Sequence, residues 1–319
     1  MHAEVLCRRA FISFVFKKLL DLSKDKSIED SFLKFDQFSS KYYWNEELDL
    51  IFYTSQSPCK MIFYATTNFL FLGGDASICK FILNTTCEGK KRRICDSSLL
   101  AAGRETDLLG ILRTKPGRAD CSFASSLSCS DKICIWNILG IQGALLSRLV
   151  KPIYLNYVLI GEDYDLDSVY RALICRTSDF EIKPEFMEKG FKNVSKYLAI
   201  FETEGLSLKK GISDETSTFW HQGLSRVGKI VLGFKKGSKR PIKGKSFGLA
   251  LQSPLSRNYF FENYFKHLKI DSSESLTVEK CKAEDYQQLK KMVFEHGPFK
   301  EWIVSCDEMK KFRNAIKMK

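Results

Sequence analysis

Four side chains, far apart in the chain, are of the types that hold and use a metal ion. They are His2 and Glu4 in the opening triplet His2-Ala3-Glu4, Cys59 after Pro58, and Cys129 in the run Ser128-Cys129-Ser130-Asp131-Lys132. One imidazole and two thiolates bind zinc and leave its fourth position open to water, whose pKa falls to about 7. A carboxylate beside that water moves protons from the water to a ring nitrogen and on to a departing amine. His2, Cys59 and Cys129 are therefore the candidate zinc ligands and Glu4 the candidate proton shuttle. The chemistry they suit is hydrolytic removal of an amino group from a base. The other histidines, His221, His267 and His296, stand in no ligand spacing and read as structural.

The elements that must carry these residues are legible around each one. Val5, Leu6, Phe11, Ile12, Val15, Phe16 and Leu19 recur at three- and four-residue steps, which predicts a helix with a wide buried face over residues 3–22. Residues 48–54 are strand formers that run into Ser57-Pro58-Cys59, so Cys59 should sit just past a strand end. Ser130 and Asp131 read as N-cap and first-turn residues of a helix whose apolar stripe is Ile133, Trp136, Leu139, Leu145 and Leu149. Helix starts of this kind lower a thiol pKa and favour the metal-binding form. Further on, residues 153–160 predict a buried strand, 166–175 a helix, 219–220 and 230–232 strands, and 258–268 and 283–295 helices. Alternating helices and strands point to a layered α/β core with one continuous catalytic domain over residues 1–319.

Composition narrows the setting. A chain of 319 residues can bury a large core, and 44% hydrophobic with 28% charged residues is ordinary for a globular protein. No run approaches the roughly 20 apolar residues of a membrane span, and Arg8-Arg9 follow too early for a signal peptide. Eleven cysteines without regular spacing do not form a disulfide scaffold, so we expect a reducing compartment, cytoplasm or nucleus. The net charge of +12 gives the surface an attraction for polyanions. Lys90-Lys91-Arg92-Arg93 and residues 235–240 read as solvated basic loops able to touch a phosphate backbone.

The context of the motifs resembles one family. Leu127 to Lys132, then Trp136-Asn137 and Gly140 to Leu146, are similar to the second cysteine motif of adenosine deaminases acting on RNA and tRNA. His2-Ala3-Glu4-Val5 with Arg8-Arg9 is similar to that family's histidine motif, and Tyr53 to Cys59 to its first cysteine motif. Arg113 to Asp120 resembles a loop of the tRNA-specific branch rather than of the double-stranded-RNA editors. The resemblance implies a cytidine-deaminase-like α/β/α core with a mixed central sheet, elaborated by C-terminal helices. It implies zinc-dependent conversion of adenosine to inosine in tRNA, at the adenosine 3′ of the anticodon of alanine tRNA in the best-known eukaryotic members. A flipped base would then meet the loop holding Lys115, Gly117 and Arg118. Two alternatives stay open: an inactive RNA-binding relative and a double-stranded-RNA editor. No membrane or protein partner is expected.

The family also buries inositol hexakisphosphate. Positions matching its ligands are Arg8, Lys132, Trp136, Gln142, Lys280, Tyr286, Lys290 and Trp302. So many cations need an anion to be buried together. Ile135, Leu276 and Ser305 depart from the family's polar residues at that site. Gly74-Asp75-Ala76-Ser77 normally follows the first cysteine directly, so residues 60–73 read as an insertion, and the chain reads as truncated just before His2.

Overall fold

The computed structural model describes residues 2–25, 30–58, 112, 127–162, 165–203, 216–231, 234–237, 252–268, 274–300 and 302. Helix α1 (Ala3–Lys24) buries Leu6, Val15, Phe16 and Leu19 of the face that the three- and four-residue spacing predicts, with Val5, Phe11 and Ile12 half-buried and Ala10, Phe14 and Leu22 buried beside them. Strands β1 (Leu33–Asp36) and β2 (Lys41–Trp44) form an antiparallel hairpin, and β3 (Ile51–Gln56) follows. Helix α2 (Cys129–Leu139) and the single turn α3 (Gly143–Leu146) precede β4 (Tyr157–Glu162). Then come α4 (Leu166–Leu173), α5 (Pro184–Met187), β5 (Ala199–Glu202), β6 (Thr216–Phe219), β7 (Gly228–Val231) and β8 (Phe234–Lys235). Helices α6 (Arg257–Asn263), α7 (Leu276–Cys281) and α8 (Glu284–Glu295) complete the described chain.

The central sheet has the order β3-β4-β5 and is parallel throughout, with Ile51 opposite Tyr157 and Tyr157 opposite Ala199. Antiparallel pairing among the described residues joins β1 to β2 and β6 to β7 and β8, with one isolated bridge between Phe234 and Gln252. Val158 and Ile160, which share one face of β4, are fully enclosed, while Tyr157 and Leu159 on its other face are half-buried. Helix α2 packs against α4 and α8, so this is an α/β fold with helices flanking a parallel sheet. Among the described residues no helix is long and apolar enough to cross a membrane.

Several boundaries differ from the sequence reading for identifiable reasons. The stripe from Ile133 to Leu149 is not one helix. Gly140 ends α2 at φ 81, and the Gln142 side chain occupies the space a Cβ would need, 2.1 Å away. Strand β3 starts at Ile51 rather than residue 48, because Leu50 is held by Asn156, its N–H donating to Asn156 Oδ1 at 2.9 Å. Residues 153–155 are buried as expected but lead into β4 without belonging to it. The helices expected over 166–175 and 258–268 both tighten at their ends into 3-10 turns, Cys175–Thr177 and Phe265–Leu268. Residues 60–73 and 90–93 lie outside the described residues.

Gly140 yields a direct test. Gly140→Ala combines a backbone conformation that L-residues avoid, worth about 1–3 kcal/mol, with eviction of Gln142. Gly237→Ala has a similar φ of +86 with open space around it and should carry only the backbone share, about 1–2 kcal/mol. Urea unfolding of the two variants should show the larger loss at Gly140; equal losses would contradict the packing role of Gln142.

Candidate metal centre and the adjacent cation cluster

Cys129 is the first residue of α2 and is completely buried. The cap is Ser128, not Ser130 as the sequence suggests. A cap must precede the first helical residue and reach the N–H three positions on, and Ser128 Oγ accepts from Asp131 N at 3.1 Å. Asp131 Oδ2 accepts in return from Ser128 N at 3.2 Å, closing a reciprocal capping box around Cys129. The Asp131 carboxylate, itself buried, also pairs with the Arg176 guanidinium.

His2 stands at the N-cap position of α1, where its carbonyl accepts from Leu6 N at 3.2 Å while its side chain makes no capping bond. Glu4 lies in the first turn. The ligand-type atoms of His2, Glu4 and Cys129 all lie within 4.8 Å of one another. Two helix N-termini thus meet at one point, Ala3 beginning one helix and Cys129 the other. A thiol, an imidazole and a carboxylate at this separation form a donor set suited to zinc. Cys59 lies outside the described residues; Ser57 and Pro58, which precede it at the end of β3, are buried. Lys115, Gly117 and Arg118 also lie outside them.

Two turns further along the same pair of helices, Arg8 ties α1 to α2. Its Nε donates to Ile141 O at 2.8 Å and its guanidinium carbon lies 4.7 Å from the centre of the Trp136 ring. Gly143 lets it in, since a Cβ there would stand 2.8 Å from the guanidinium. Burial lowers the Arg8 pKa to about 10, with Tyr286 opposing and Arg257 and Arg9 reinforcing the shift. Burial and then Arg257 bring Arg9 to about 10. Lys280 is brought to about 8 by burial and by Arg257, Lys290, Arg9 and Arg8. The Tyr286 phenol is raised by burial, against the pull of Arg8 and Arg257. The neighbours that move these groups are cations and a phenol, which is the environment a polyanion would relieve.

Of the expected members of this cluster, Trp136 and Trp302 are buried, Lys132 is half-buried and Lys290 is exposed. The Gln142 amide is engaged with the chain itself, donating to Leu139 O and Ser147 Oγ and accepting from Ile153 N. Arg9 and Arg257 were missed as members. Arg9 adjoins Arg8 in the histidine motif and could have been read there, whereas Arg257 joins only through tertiary folding. His221 is structural, bonded to Ser13 and to Gly223 N.

The adenosine-deaminase (editase) domain matches residues 1–305 of this sequence. The chain belongs to that family. Among its relatives is the tRNA-specific adenosine deaminase 1 of Drosophila melanogaster, 34% identical over 192 residues, covering 55% of this chain and 43% of the relative. The protein of that name from Schizosaccharomyces pombe is 32% identical over 162 residues, 50% of this chain and 37% of its own. The double-stranded RNA-specific adenosine deaminase of Mus musculus is 26% identical over 314 residues, covering 89% of this chain and 26% of its own. The chain therefore spans less than half the length of these curated relatives. The editase family is zinc-dependent, and the thiol, imidazole and carboxylate grouped here match that requirement.

For this editase domain the cation cluster has a measurable pH signature. Lys280 titrates near 8 in the folded protein against 10.5 ordinarily, so the unfolded chain binds more protons between those values. Stability should therefore rise with pH across that window. Urea midpoints recorded from about pH 7.5 to pH 9.5 should climb, and Lys280→Met should flatten the climb. A level or falling midpoint in the wild-type chain would contradict the clustering.

Proposed function

We propose that this chain catalyses hydrolytic deamination of adenosine to inosine in tRNA. The observation that carries the proposal is the convergence of His2, Glu4 and Cys129 at two helix N-termini in a chain of the editase family. His2, Cys129 and Cys59 are the residues that would hold zinc, which supplies an acidified water when bound. Glu4 takes a proton from the attacking water and delivers it to ring nitrogen N1 of the flipped adenine. With the water oxygen bonded to C6, Glu4 takes the second proton from that new hydroxyl and gives it to the exocyclic amine; the C6–N bond breaks, ammonia leaves and the C6 carbonyl of inosine forms.

The tRNA-specific relatives support tRNA as the substrate, and we assign the adenosine 3′ of the anticodon as the target, with Lys115, Gly117 and Arg118 on the substrate side. The net charge of +12 suits a phosphate backbone. A second reading, editing of double-stranded RNA, is favoured by the length of the match to the mouse double-stranded-RNA enzyme. For the cation cluster we propose inositol hexakisphosphate as occupant. Arg8, Lys280 and Tyr286 would form its inner contacts, with Lys132, Trp136, Gln142, Lys290 and Trp302 around them.

Glu4→Ala should abolish inosine formation, a loss on the order of 100-fold or more, while the purified protein keeps about one zinc per chain. Cys129→Ser should lose both metal and activity. Inosine yield on an alanine tRNA against a long RNA duplex separates the two substrate readings. Full activity in Glu4→Ala would refute the proton-shuttle role, and equal metal content in Cys129→Ser would refute the ligand role.

A further inference from the structure

Cys129 is held by more than its own capping box. The box binds both oxygens of Asp131 into the first turn only in part: Oδ2 accepts from Ser128 N at 3.2 Å, while Oδ1 is taken by Arg176. The two side chains are 2% and 5% exposed, so this is a buried ion pair rather than a surface contact. Arg176 comes from the 3-10 turn Cys175–Thr177 that follows α4, 45 residues from Asp131, and that turn is itself fixed by Thr177 Oγ1 donating to Ile174 O at 2.7 Å. Its guanidinium also lies over the ring of Phe299, 5.6 Å from centroid, and Phe299 is completely buried beyond the end of α8. Arg176 therefore joins three separate parts of the chain at the point where α2 begins.

We propose that Arg176 is a positioning residue for the metal centre, fixing through Asp131 the first turn of α2 and with it the direction of the Cys129 sulfur toward His2 and Glu4. The inference rests on the reading of Cys129 as a metal ligand. Its physical basis is the lever formed by the capping box. Ser128 and Asp131 bracket Cys129 on both sides through the reciprocal bonds, so a rotation of the Asp131 carboxylate turns the backbone that carries the thiol. Left without Arg176, a buried carboxylate has to seek another donor or water, and the cap is the part that gives way. Arginine suits the task because its planar fork holds the carboxylate at a fixed angle while its flat face rests on an aromatic ring.

The test uses the full chain loaded with cobalt(II), whose thiolate charge-transfer and d–d bands report the geometry around the metal directly. Arg176→Gln should weaken metal affinity about 10–100-fold by chelator competition and shift the cobalt spectrum. Arg176→Lys, which restores charge but not the fork, should recover part of the affinity with a spectrum still displaced from wild type. Asp131→Asn keeps the cap and loses the ion pair, and it should move the same readouts even if Arg176→Gln does not fold. Tyr197→Phe serves as the structural control: the Tyr197 hydroxyl donates to Asn137 O in the second half of α2, so its loss destabilises the helix away from the metal. That variant should retain the wild-type spectrum. Wild-type affinity and spectrum in Arg176→Gln or Asp131→Asn would overturn the proposal, as would a spectrum displaced equally in Tyr197→Phe. A wild-type cobalt spectrum retained in Cys129→Ser would overturn the ligand reading itself.

Discussion

A helix with no solvent-facing side has to be oriented and terminated from inside the protein, and α2 is such a helix. Among its residues only Lys132 escapes burial. The first N–H groups and last carbonyls of a helix lack intrahelical partners, and here water is not at hand to satisfy them. Ser128 and Asp131 meet that need at one end, and the charge this introduces is answered by Arg176. At the other end Gln142 donates to Leu139 O and accepts from Ile153 N, which also binds the helix to the chain leading into β4. The buried polar groups at the two ends of α2 are thus consequences of sinking the helix into the core.

The metal centre and the cation cluster share one interface. Glu4 and Arg8 are four residues apart on α1, as are Lys132 and Trp136 on α2, and residues at that spacing lie on one helix face. The two faces meet at Cys129 near the helix starts and at the Arg8–Trp136 contact further along. The cations crowded at the second point, Arg8 and Arg9 on α1 and Lys280 on α7, repel one another between those two helices rather than across the α1–α2 seam.

How much of this was legible in the sequence depended on whether a signal is local. The periodicity of α1 survives folding because its buried face is continuous, and Asp131 was readable as a first-turn acid from its place after Cys129, although the cap was assigned to Ser130 instead of Ser128. The apolar stripe misled at Gly140: in a continuous helix Leu145 and Leu149 would stand about 120–180° around the axis from Ile133 and Trp136, and the glycine's positive φ breaks the helix between them. Strand limits were off by a few residues where an asparagine, Asn156, substitutes a side-chain bond for a ladder bond. The partners of the site were the least legible. Arg176 and Arg257 lie in stretches with no motif, and their roles arise only when distant turns are folded together.

His2 and Cys129 are held in place by different physical means. Cys129 is fixed by a cap within its own turn and by the ion pair that ties Asp131 of that turn to Arg176, 45 residues on. His2 makes no side-chain capping bond, so its position follows from the helix it begins. Over its 22 residues α1 is anchored by aromatic packing along its length: Phe11 against Trp44, Phe14 edge-on to Phe32, and Phe16 stacked with Tyr264. A rod held at many points carries its end to a definite place even when that end is exposed, as His2 is. Loosening the aromatic packing would act first on the imidazole and loosening the Asp131–Arg176 pair first on the thiol, with the Arg8–Trp136 contact passing part of either shift between α1 and α2.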